Sequence, residues 1–239
     1  TRPWTVLAPQ TSTTAHANTS LRTLPDQSLL AEGEATDTET FVVTLRTSAR
    51  RIASLKLAAL GHSSLPAGAP GRGPDNGNFI ISELSLTARA LDGTSEPVEL
   101  AISGVRADYS QGSWNVAGIH DGDEKTGWAV ARGDKDNKFT VVTNEGDPSH
   151  WVELDLAEPL AIAGGAELTV TIKCTSDVKQ HVLGHFQLSY TTESLPTPDL
   201  SVDPIAEVTI VPGQFTECRL SVERLGFDGR ISFDVNKFP

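Results

Sequence analysis

Glu167-Leu-Thr-Val-Thr-Ile-Lys-Cys174 decides the fold. Its even positions (Leu168, Val170, Ile172, Cys174) are apolar and its odd positions polar, the period of two that a strand shows when one face is buried and the other wet. The same alternation recurs upstream, where Phe41, Val43 and Leu45 alternate with Thr40, Val42 and Thr44. Downstream, Val152, Leu154 and Leu156 alternate with Trp151, Glu153 and Asp155. Residues 49–60 have the best helical composition, but Leu55, Leu57 and Ala59 again step by two. Turn signals punctuate these runs: Leu91-Asp-Gly-Thr94, Asn144-Glu-Gly-Asp-Pro148 and Ala163-Gly-Gly-Ala166. Many short strands separated by such turns predict an all-β sandwich or barrel.

The chain has 239 residues, 19 of them Lys or Arg against 31 Asp or Glu, for a formal charge of −12. That field repels a polyanion, so nucleic acid is not an expected partner. Acidic loops suit divalent cations, neutral ligands or basic partners. No stretch approaches the roughly 20 apolar residues of a membrane helix, so no membrane insertion is expected. The chain contains no Met, which reads as a piece of a longer precursor whose targeting signal lies elsewhere. A Pro-containing linker at Glu193-Ser-Leu-Pro-Thr-Pro-Asp199 separates a domain over 1–195 from a segment over 196–239. Three further strands are expected in that segment, at 206–210, 215–223 and 229–235, as part of an Ig-like module.

Cys174 and Cys218 are the only cysteines, each on the apolar face of an alternating run. Two readings stay open: two buried free thiols, or one bridge formed in an oxidising compartment. No CxxC or CxxCH spacing occurs, which removes haem attachment and zinc knuckles from this stretch. Gly61 to Asn78 is a long loop stiffened by Pro66, Pro70 and Pro74, expected to run as an ordered excursion over the sheet.

Asp121-Gly-Asp-Glu-Lys-Thr-Gly-Trp128 is the run richest in chemistry. Asp121, Asp123 and Thr126 can direct carboxylate, carbonyl and hydroxyl oxygens at one point, an oxygen-only set suited to Ca²⁺. The alternative is an Asp-Gly turn leading into a core tryptophan. The run, followed by Trp151-Val-Glu-Leu-Asp-Leu156, resembles the DGDxxTxW and WxxxDL signatures of discoidin-like and galactose-binding-like domains. The resemblance implies a jelly-roll sandwich and a cation shell closed by a glutamate on a later strand. The nearest match for that glutamate is Glu83, in Asn78-Phe-Ile-Ile-Ser-Glu-Leu-Ser-Leu86. It precedes the turn, which implies a permuted or extended jelly roll.

Residues 1–195 also resemble a region of large multidomain planctomycete proteins that carry cytochrome c-type domains. Trp4-Thr-Val-Leu-Ala-Pro9, Asp26-Gln-Ser-Leu-Leu-Ala-Glu-Gly33, Gly71-Arg-Gly-Pro-Asp-Asn-Gly-Asn-Phe79 and Leu183-Gly-His-Phe-Gln-Leu-Ser189 carry the likeness together with the Asp121 run. Val211-Pro-Gly213 and Leu225-Gly-Phe-Asp-Gly-Arg-Ile231 resemble the start of an Ig-like repeat. The likeness implies a periplasmic or extracellular location and neighbouring domains in a parent protein.

No GxSxG, HExxH, Walker A or GxGxxG motif occurs, and no Asp/Glu pair is singled out for glycoside hydrolysis. His181 and His185 are four apart, but Gly184 and strand-like surroundings disfavour the helix that metal binding at this spacing needs. In binding sandwiches a sugar sits on an aromatic ring beside a few polar groups. Trp114, in Ser110-Gln-Gly-Ser-Trp-Asn115, is the candidate platform, or else a cap over the core. Arg72, Asp75, Asn76 and Asn78 are candidate hydroxyl readers, or else braces within their own loop. Trp128 and Trp151 are expected in the core, and Trp4 against the N-terminal strand. The expected function is a non-catalytic module binding a carbohydrate or cell-surface glycan, with a structural Ca²⁺. The alternatives are a docking domain that positions a cytochrome c-type neighbour, and a hydrolase.

Overall fold

The computed structural model describes residues 2–93 and 95–194, and the backbone of 199–202 and 222–225. The chain divides into two compact units, Thr1–Ser194 and Leu195–Pro239. In the first, β1 (Thr5–Val6), β2 (Pro9–Thr14), β3 (Thr19–Thr23), β4 (Leu29–Gly33), β5 (Glu39–Thr47) and β6 (Arg51–Ala59) precede the long loop. Next come β7 (Glu83–Ala90), β8 (Val98–Glu99) and β9 (Ile102–Ala107). A small hairpin, β10 (Ala131–Gly133) and β11 (Phe139–Val141), is followed by β12 (His150–Ala161), β13 (Ala166–Cys174) and β14 (His185–Thr191). Helical turns among the described residues are limited to two short 3-10 turns, Pro66–Gly68 and Val116–His120. None is long and apolar enough to cross a membrane.

The strands form an all-β sandwich. One sheet runs β3-β4-β14-β6-β12-β9, with β1 also paired to β14, and the facing sheet runs β2-β5-β13-β7-β8. The stretch 167–174 sits at the centre of the second sheet. Val170 lies opposite Val43 and Leu86, and Ile172 opposite Phe41 and Leu84, so one apolar row crosses three strands. In the first sheet Leu57 lies opposite Val152 and Leu188. These rows face each other and are almost fully buried, each large aliphatic side chain contributing about 1.5–3 kcal/mol relative to exposure. On the wet face of the second sheet, Glu167 pairs with Arg46 and Arg89 on its two neighbours. Cys174 ends the apolar row as a buried free thiol. Burial pushes it up to about 12, which leaves it unreactive.

On the outer face of the first sheet, the guanidinium of Arg2 reaches Glu153 at 2.7 Å, Asp155 at 2.9 Å and the Ser54 hydroxyl at 2.8 Å. Arg2 also lies over Trp4, and the Lys56 ammonium stands 5.6 Å from the Trp4 ring centre and 4.9 Å from that of Trp151. Trp151 therefore faces outward, half-buried, and not into the core. The register explains the difference from expectation: Val152 and Leu154 point inward, so Trp151, Glu153 and Asp155 must point out.

The long loop is ordered, with residues 65, 69–73, 77 and 78 buried. Gly71 N–H donates to Gly77 O, Arg72 N–H to Val182 O, and Gly77 N–H to Gly73 O. Gly77 has φ +66°, and a Cβ there would meet the Pro66 carbonyl oxygen at 2.2 Å, so only glycine closes this loop without strain.

In the second unit, β15 (Asp199–Val202) pairs antiparallel with β16 (Val222–Leu225). Cys218 and the expected strands at 206–210 and 229–235 lie outside the described residues, as does most of that at 215–223.

Candidate functional site

Four segments close around a cleft of ≈ 760 Å³, within the range of roughly 300–1,000 Å³ typical of small-ligand sites. Four of the five expected ligand residues line it: Asp75 and Asn76 from the long loop, Asn78 from its end, and Trp114 from the turn after β9. The opposite wall was not foreseen. Asn137, Lys138 and Phe139 come from the β10–β11 hairpin, and Val178 and His181 from the loop before β14.

Hydrogen bonds divide these residues into braces and free groups. Asn78 is buried, its amide oxygen accepting from Val130 N–H at 3.1 Å and its amide nitrogen donating to Gln111 Oε1 at 3.4 Å. Gln111 donates in turn to the Ser113 hydroxyl at 3.3 Å. Asn76 accepts from Asn78 N–H at 2.9 Å and donates to the Phe139 carbonyl at 3.2 Å, tying the loop to the hairpin. Asn76 and Asn78 thus spend their amides on internal bracing. The side chains of Asp75, Asn137 and Lys138 and the Trp114 Nε1 make no hydrogen bond or ion pair among the described residues. Trp114 is half-buried and Phe139 is 45% exposed, so two aromatic rings and four polar groups without a protein partner among the described residues line one cleft.

Arg72 stands apart from this set. It is buried, one terminal nitrogen donating to the Gly33 carbonyl while the other has no partner. Burial lowers its pKa against the pull of the Glu39 carboxylate. Its role is to fasten the long loop to β4.

The Asp121–Trp128 run folds into a second constellation. Asn115 caps the Val116–His120 turn by accepting from Ala117 N–H at 3.0 Å, and the chain then bends at Gly122, where φ is +82°. The Thr126 hydroxyl lies 3.0 Å from each carboxylate oxygen of Asp121, 2.9 Å from the Asp123 carbonyl and 3.1 Å from the Gly118 carbonyl. The Asp123 carboxylate accepts from Lys125 N–H at 3.0 Å. Glu83, at the start of β7, reaches the same turn by accepting from Gly122 N–H at 2.8 Å. Its carboxyl is raised by burial and by the charges of Asp121 and Glu124, which outweigh the Gly122 bond and Lys173. The Asp121 carboxyl is lowered, first by the Asp123 N–H. Four acceptor oxygens surround one hydroxyl that carries one proton, so acceptors outnumber donors. Asp121 Oδ1 also accepts from Asp123 N–H at 2.9 Å, and the set is made of the hard oxygen donors that Ca²⁺ takes elsewhere. The carboxylates beside the hydroxyl are few: no group of three or more His, Cys, Asp or Glu is arranged as a metal site among the described residues.

Trp128, His185 and His181 have partners within the fold. Trp128 is fully buried, donates to Tyr109 O at 2.8 Å and meets Phe79 edge-on at 5.1 Å. His185 opens β14, its Nε2 within 2.8 Å of the Ser28 hydroxyl, and burial lowers its pKa. His181 sits on a loop at the cleft wall.

Comparison with protein-family models finds no match to this chain, and comparison with curated proteins finds none either.

Proposed function

We propose that the first unit is a non-catalytic module that binds a carbohydrate or cell-surface glycan in the cleft beside Trp114. One observation carries the reading: a half-buried indole and an exposed phenyl ring line one cleft with braced amides and with polar side chains that have no partner among the described residues. Sugar rings offer apolar C–H faces to aromatic rings and hydroxyls to such polar groups. Among the described residues Asp75 is the one carboxylate lining the cleft, which speaks against glycoside hydrolysis there. Glycoside hydrolysis needs two, roughly 5–9.5 Å apart.

The proposal includes a structural Ca²⁺ held by Asp121, Asp123, Thr126 and Glu83, where it would offset the excess of acceptor oxygens and rigidify the turn. It also keeps the likeness to discoidin-like jelly rolls, and a periplasmic or extracellular setting within a larger protein. The test is a glycan array followed by affinity electrophoresis on soluble polysaccharides. Trp114→Ala should weaken retention at least about tenfold, the equivalent of ~1.4 kcal/mol, with an unchanged melting temperature. Retention by no glycan, or by parent and variant alike, would remove the reading.

A further inference from the structure

We infer that the ligand of this cleft is an uncharged glycan gripped between two rings, with Phe139 as the second platform opposite Trp114. The inference rests on the glycan-binding reading and narrows it to one charge class.

The first support is Phe139 itself. It is among the few large hydrophobic side chains left exposed, at 45%, and lies on a hairpin that belongs to neither main sheet. A Cβ on Gly133 would come within 3.2 Å of its ring, so the smallest residue across the hairpin leaves the ring room to lie flat. Asn76 holds the Phe139 carbonyl and thereby sets where the ring stands relative to the long loop. Trp114 occupies a separate turn, and no other ring or cation covers it among the described residues. Two partly exposed rings on independent segments suit a ligand with apolar faces.

The second support is charge. Asp75 and Lys138 line the cleft with opposite formal charges. Lys138 reaches no carboxylate within ion-pair distance among the described residues, although the Asp134 carboxylate that accepts its backbone N–H also feels its charge. An anionic sugar would bring its charge against Asp75 and into the field of a chain at −12. A cationic sugar, although drawn by that field, would set its ammonium against Lys138. A neutral hydroxyl avoids both conflicts, because it accepts from Lys138, Asn137 or Trp114 Nε1 and donates to Asp75.

The test uses the full chain in affinity electrophoresis against three sets of polysaccharides: neutral glucans and mannans, uronate- or sulfate-bearing chains, and chitosan. The expected result is retention by a neutral polymer and weaker or no retention by the charged ones. Affinity for the neutral polymer should change less than about twofold between roughly 0.05 and 0.5 M NaCl, where surface electrostatics are largely screened. Phe139→Ala should weaken binding at least about tenfold, as loss of an aromatic anchor does, while the melting temperature holds. Preference for a charged polymer with steep salt dependence overturns the inference and leaves glycan binding standing, as does Phe139→Ala binding like the parent. Retention by no polymer overturns both.

Discussion

His150 shows how much a single buried residue can organise. Its Nδ1 lies 2.8 Å from an Asp108 carboxylate oxygen and its Nε2 lies 2.8 Å from the Val142 carbonyl. Both neighbours, a carboxylate and a carbonyl, are hydrogen-bond acceptors. Asp108 also accepts from Trp151 N–H and from the Asn144 amide, each at 2.9 Å. Burial pushes the Asp108 carboxyl up, but these hydrogen bonds and the histidine charge outweigh it and hold the group below the ordinary aspartate value. A lowered folded value means that the stabilisation is full above the unfolded pKa of about 4 and is lost as pH falls through the folded one. Asp108→Asn should therefore cost about 1–3 kcal/mol at neutral pH, and the gap to the parent should close on acidification. Urea melts of both proteins from neutral to acid pH measure it, and a gap that does not change with pH would rule the argument out. Little of this was legible beforehand, since Asp108 and His150 lie 42 positions apart and neither stands in a motif. Trp151 was misread: it opens a strand and was expected in the core, although its alternation with Val152 and Leu154 puts it on the outer face.

At the scale of elements, the strands were readable because period-two burial writes itself into composition, as 167–174 and 41–45 show. The long loop was readable as a loop but not as a wall. Its prolines and glycines announce turns, whereas its direction is set by contacts with Val182, Phe139 and Gln111 far along the chain. Arg72 illustrates the cost: in sequence it sits beside Asp75 and Asn76, yet the turn at 73–77 sends its side chain to Gly33 and theirs to the cleft. The hairpin wall left fainter traces still, since a run of Asp, Lys and Asn with one Phe marks only a turn. Gly77 tests whether the loop's closure sets the cleft. Gly77→Ala should cost about 1–3 kcal/mol, for a positive φ and a collision with the Pro66 carbonyl, and should weaken ligand retention by displacing Asn76 and Asn78. Gly112→Ala is the control, because its Cβ would meet nothing within 4 Å. Chemical denaturation and affinity electrophoresis read the two effects, and equal stability for both variants would show that the loop is not strained as described.

For the whole molecule the governing quantity is charge. At −12 the chain repels itself, and the Asp121 turn concentrates acceptor oxygens that one hydroxyl proton cannot satisfy. A cation bound there in the folded state alone must raise stability by RT ln(1 + [L]/Kd), about 2.7 kcal/mol at a hundredfold excess over Kd. For a unit of this size roughly 2–4 °C accompanies each kcal/mol, so Ca²⁺ added after EDTA treatment should raise the melting temperature by about 5–10 °C. General screening of an acidic protein would also raise it, so NaCl at matched ionic strength provides the baseline. Glu83→Gln separates the two further. Its side chain touches the turn through Gly122 N–H and carries a raised pKa, so removing its charge should relieve repulsion in the free protein while depriving the cation of a ligand. The variant should therefore melt at or above the parent in EDTA and gain less from Ca²⁺. A parent whose melting temperature ignores Ca²⁺, or a variant that responds as fully as the parent, would mean that the oxygens around Thr126 stabilise the turn through hydrogen bonds alone.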